Sequence, residues 1–145
     1  MNKIIAIAIL IFTNALYAMD NQQNIQMKDF YIVLLQGANS ASGYGVIKNN
    51  SSKTDTLMSV SSDNASVMLH QTQIHSGMAN MAYHSKFSIN ANDSLVLKPM
   101  SYHLMLTHIS KDIRRDTDAI MIKFEFKNSG IMSVKIPILS RHKYD

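Results

Sequence analysis

Short runs in which apolar and polar residues alternate, separated by polar turn clusters, constrain this chain more than any other feature. The clearest run is Ala119 to Lys127, with Ile120, Ile122, Phe124 and Phe126 on one face and Met121, Lys123, Glu125 and Lys127 on the other. Met132, Val134, Ile136 and Ile138 repeat the pattern, and shorter apolar or alternating runs cover 30–35, 43–48, 56–60, 66–72, 95–98 and 102–109. Asn49-Asn50-Ser51-Ser52, Asp63-Asn64, Asn90-Ala91-Asn92-Asp93 and Asn128-Ser129-Gly130 supply the turns between them. No long helical period, internal repeat or low-complexity segment interrupts the series. The expected class is therefore all-β, an antiparallel sandwich or barrel.

The ends read differently. Lys3 precedes an apolar run from Ile4 to Phe12 that is too short to span a bilayer, and Ala18 offers a small residue for cleavage. Leu16 departs from the usual small residue three positions before the cut. This predicts a signal peptide over 1–18, a flexible segment over 19–28, one β-sandwich domain over 29–140 and a short tail over 141–145. No second apolar stretch of membrane length follows, so the mature chain is expected to be exported to the periplasm without a transmembrane anchor. The formal charge is +4, but the basic residues are scattered apart from small clusters at Lys111, Arg114 and Arg115 and at Arg141, His142 and Lys143. Without an aromatic-interleaved basic stripe, a nucleic-acid partner is not indicated.

The chain has 11 Met, 6 His and no Cys, so it must fold on its core without disulfides. Outside the cytoplasm thiols tend to oxidise, whereas thioethers cannot form disulfides. In Tyr102-His103-Leu104-Met105-Leu106, strand alternation turns Tyr102, Leu104 and Leu106 inward and places His103 and Met105 together outside. Val67 and Leu69 likewise face inward, leaving Met68 and His70 outward. Met81, in Gly77-Met78-Ala79-Asn80-Met81, belongs to a loop or hairpin arm able to fold over the same place. Two imidazoles and two thioethers suit Cu(I), because thioether sulfur is a soft donor and harder ions prefer carboxylate and water.

His70, Met81, His103 and Met105 also fall at a known spacing. Ten residues separate the first pair, twenty-one the second and one the third, and this order resembles the periplasmic copper chaperone family written PCu(A)C. From the His and Met content, that spacing arises by chance about once in 700 such chains. Gly43-Tyr44, Leu69-His70-Gln71-Thr72, Leu97-Lys98-Pro99 and Tyr102 to Leu106 extend the likeness, which covers about 42–139. Two positions depart from it. Met100-Ser101 stands where the family often has Gly-Gly, which affects the turn before His103, and Gln71 stands where a Glu often follows the first ligand His. His75, Met78, His84, Met100 and His108 are spare donors, of which His75 and Met78 are best placed for a second site.

The resemblance implies a cupredoxin-like, Ig-like sandwich that carries Cu(I) to an acceptor, commonly the copper centre of a respiratory haem-copper oxidase, with Sco-type proteins as co-workers. His103 and Met105 are expected to be the fixed half of the site and Met81 the labile half. A blue electron-transfer site would need a Cys thiolate, which is absent. Scattered single carboxylates and the lack of G-x-S-x-G argue against an enzyme. The alternatives are an exported protein-binding module without a metal, or a copper storage or resistance protein with the same ligands.

Overall fold

The computed structural model describes residues 23–34, 39–113 and 119–139. The expected signal peptide, the tail, and the basic clusters at Arg114, Arg115 and 141–143 lie outside them. Ten strands follow one another: β1 (Ile25–Leu34), β2 (Ser40–Asn49), β3 (Asp55–Ser61), β4 (Ser66–His75), β5 (Met78–His84), β6 (Phe87–Ile89), β7 (Ser94–Leu97), β8 (Tyr102–Thr107), β9 (Ala119–Phe126) and β10 (Gly130–Leu139). The protein is all-β in its described residues, as the alternation requires. Strand β1 begins at Ile25, inside the segment expected to be flexible. Ile25 is fully buried and pairs with Asn49, and Met27 packs against the core, so apolar burial tethers the start of the strand.

The strands form one sheet in the order β5-β4-β8-β7-β2-β1-β10-β9-β3-β6, with β8 also pairing β2. Most pairings are antiparallel, but β1 runs parallel to β10 and β7 parallel to β8. The sheet folds over a single core. Ala41, Ile47, Val67, Leu69, Leu104 and Leu106 enter it from β2, β4 and β8, and Leu57, Ile120, Ile122, Phe124, Phe126, Ile136 and Ile138 from β3, β9 and β10. On β9 the apolar face reads as expected, with all four of its residues buried. On β10, Ile136 and Ile138 are buried, while Met132 and Val134 only pack against the edge of the core.

Three local devices hold the frame that carries β4, β5 and β8. Lys28 to Tyr31 form an irregularity in the β1–β2 pairing, with Asp29 at φ 53°, and Phe30 packs edge-on to Phe124 with ring centroids 5.5 Å apart. A Cβ on Gly45 would lie 2.6 Å from the Phe30 ring, so only glycine lets this ring lie against β2. Asn49 is fully buried; its side-chain amide donates to the carbonyls of Lys53 and Ile89 at 2.8 and 3.0 Å, and its oxygen accepts from the Ser51 backbone and hydroxyl. Asp55, also buried, accepts from Thr56 N, Asn128 N, Ser129 N and Ser129 Oγ. Burial alone would raise its pKa, yet the Ser129 hydroxyl and the three backbone N–H groups outweigh that and lower it.

Candidate metal centre

Strand pairing builds the site. In the β4–β8 ladder His70 stands opposite His103, and Met68 opposite Met105, one step along the same face. The inward neighbours Val67, Leu69, Leu104 and Leu106 are all buried, so hydrophobic burial fixes which face carries the donors. Tyr83 of β5 stands opposite His70 on the other side, and Met81 opposite Thr72, two residues further along β4. The donors' face also carries Ser42 and Tyr44 of β2. Among the described residues of β4, β5 and β8 no carboxylate belongs to it.

The two imidazoles are 6.0 Å apart between ring centroids, inclined at 79°. With metal–nitrogen bonds of about 2.0 Å, a ring centre lies roughly 3 Å from a bound ion, so rings up to about 6 Å apart can share one. His103 is 4 % exposed, and its Nδ1 lies 3.0 Å from the Ser101 carbonyl. A carbonyl only accepts, so Nδ1 carries the proton and a neutral ring keeps its lone pair on Nε2. A backbone contact of this kind sets the tautomer that leaves Nε2 free to bind a metal. His70 Nδ1 is buried and has no hydrogen-bond partner among the described residues. Burial first, and then the neighbouring His103 and His84, lower the His70 pKa and so favour the neutral, metal-binding form.

Met105 is half-buried beside this pair, whereas Met81 is 62 % exposed. Met81 lies on the arm of a β-hairpin, the second of the two placements expected for it. Ser76 and Gly77, at φ 51° and 78°, form the tight turn of the β4–β5 hairpin, and β5 is the edge of the sheet. The sequence missed β5 as a strand because MANMAYH lacks a clear apolar alternation: both of its faces are largely solvated, so nothing selects for one. Ile74, Met81 and Tyr83 form an exposed apolar strip on this hairpin, on the same face as His70.

The spare donors fall elsewhere. His75 pairs with Met78 at the hairpin tip on the face opposite His70, and His75 Nε2 lies 3.4 Å from Gln73 Oε1. Gln71, on that same reverse face, meets His84 at 3.1 Å and does not orient His70. Met100 holds φ 60° in the turn closed by Ser101 N to the Lys98 carbonyl, where a glycine would sit without strain. His108, at φ 51°, follows the end of β8 and touches Thr107. Among the described residues no three His, Asp or Glu side chains converge.

A family model described as "Putative lipoprotein LpqE-like" matches residues 25–138. No curated protein matches the chain. Among solved structures, a copper-bound PCuAC domain from PmoF2 is 19% identical, with a TM-score of 0.65 over 81% of this chain and 93% of that one. The apo PmoF2 PCuAC domain gives 18% identity and a TM-score of 0.67 over 81% and 90%. The solution structure of CuI-DR1885 from Deinococcus radiodurans gives 17% identity and a TM-score of 0.64 over 84% of each chain. At these identities the likeness establishes the fold.

Proposed function

We propose that this chain, which belongs to the LpqE-like family, binds one Cu(I) ion as cargo through His70, His103, Met105 and Met81 and hands it to an acceptor protein. One observation carries the reading: a buried imidazole nitrogen of His70 lacks a hydrogen-bond partner among the described residues, in a ring paired with a second imidazole whose tautomer is already set. A buried acceptor left unmet costs about 1–3 kcal/mol, and a metal bond at that atom would offset it. The thioethers beside the pair make the donor set soft, and Cu(I) is the common ion that prefers such donors. The copper-bound PmoF2 domain and CuI-DR1885 share the fold and lend the choice of ion support.

The same geometry favours a carrier over a catalyst. Soft donors on an open sheet face can be replaced one at a time by an incoming ligand. The exposed strip of Ile74, Met81 and Tyr83 gives an acceptor an apolar surface next to His70. The destination we infer is the copper centre of a respiratory haem-copper oxidase, reached through the periplasm after removal of residues 1–18. Among the described residues no helix is long and apolar enough to cross a membrane.

X-ray absorption at the copper edge of the Cu(I)-loaded protein tests the donor set. A mixed shell of nitrogen and sulfur, losing sulfur in Met105→Leu, is expected. A shell of nitrogen and oxygen alone would overturn the assignment.

A further inference from the structure

Met68 lies outside the spaced His and Met pattern, yet it occupies the position that mirrors Met105. The two residues are direct partners across β4 and β8, in the row next to the His70–His103 pair and on the same face. Both are half-buried. Strands lie about 4.8 Å apart and residues rise about 3.4 Å along a strand, so Met68 and Met105 each root roughly 7 Å from the midpoint of the histidine pair. Met81, one strand further out and in the row on the opposite side, roots roughly 10 Å from that midpoint by the same measure. A methionine side chain closes the shorter gap readily. The longer one requires the edge hairpin to curl toward the ion.

Resting on the copper reading above, we propose that Met68 is a thioether donor to the bound Cu(I), completing a two-histidine, two-methionine site on strands β4 and β8 alone. Met81 then shares the fourth position with Met68. It binds when the hairpin bends inward and carries the ion outward when it relaxes. Holding is thereby assigned to the paired inner strands and release to the exposed edge strand. Because Met68 and Met105 are already paired across adjacent strands, the inner site needs no strand movement to form.

Methionine methyl groups report this directly by NMR, since Cu(I) is diamagnetic and a coordinated thioether shifts its own methyl resonance. The protein, labelled at its methionine methyls and assigned through single Met→Leu variants, is titrated anaerobically with Cu(I). The Met68 and Met105 resonances are expected to move together and to stop at one equivalent. Both movements should persist in Met81→Leu. If Met105 moves while Met68 stays, or if Met81→Leu abolishes the Met68 shift, Met68 is not a donor and the copper reading stands without it. If neither Met68 nor Met105 moves, the copper reading fails as well. Retained amide shifts across β9 and β10 in each variant show that the fold is intact.

Discussion

Replacing His70 by leucine should stabilise the protein in the absence of copper. The wild-type ring holds a buried Nδ1 with no partner among the described residues, and such an atom costs about 1–3 kcal/mol in desolvation. Leucine removes the atom and keeps a side chain of similar bulk between Tyr83 and His103. His70 is only half-buried, so part of the new apolar surface stays in water and the net gain falls to about 1 kcal/mol. For a domain of this size that corresponds to a rise in melting temperature of about 3–5 °C. The pH dependence supplies a second signature. The His70 pKa is lowered in the folded state, by burial and then by His103 and His84, so the unfolded chain binds the proton more readily. The contribution of neutral His70 is fully present above the unfolded value of 6.5 and is lost as pH falls through that value toward the folded one. Thermal melts of the metal-free protein between mildly acidic and neutral pH should show a flatter slope for His70→Leu than for wild type. His70→Gln, which keeps a polar group there, should show no gain in stability. If His70→Leu is instead less stable by 1 kcal/mol or more, with the wild-type pH slope, the imidazole has a structural partner and the argument for a ligand-ready nitrogen fails.

Asp55→Ala should lower stability by about 2–3 kcal/mol, since it strands the N–H groups of Asn128 and Ser129 that the carboxylate accepts. The lowered pKa of Asp55 means its contribution is present above the unfolded value of 3.8 and lost as pH falls below it, so acid unfolding should be less steep in the variant. Met100→Gly should raise stability by about 1 kcal/mol by relieving the left-handed φ of 60°, and a Cu(I) affinity equal to wild type would separate Met100 from the donors. Gly45→Ala should destabilise by about 1–3 kcal/mol because the new Cβ meets the Phe30 ring at 2.6 Å; a neutral melt would mean that this ring moves freely.

Burial periodicity made part of this architecture readable in the sequence. Where one face is fully buried, as on β9, alternation identified both the strand and its orientation, and the same logic placed His103 and Met105 on the face opposite Leu104 and Leu106, although His103 is itself buried there rather than outward. Where neither face is buried, as on β5, the chain carries no period, and Met81 read as part of a loop or hairpin arm. The start of β1 was missed because Asp29 and Phe30 break its alternation at the irregularity near Tyr31. Residue type, spacing and strand parity singled out His70, His103 and Met105 as candidates, and β4 and β8 bring them side by side. That His70 pairs with His103, and Met68 with Met105, was not legible, because register between distant strands depends on the whole sheet. Nor did the sequence show that Gln71 meets His84, a contact that depends on the pairing of β4 with β5.

The most direct test of the copper assignment is an anaerobic Cu(I) titration against a competing chelator of calibrated affinity, with the His103→Ala/Met105→Leu double variant run beside the wild type. One tight equivalent in the wild type, lost in the variant while the fold persists, is the predicted result. No tight binding, or binding indifferent to both substitutions, would contradict the assignment of these strands as a copper site.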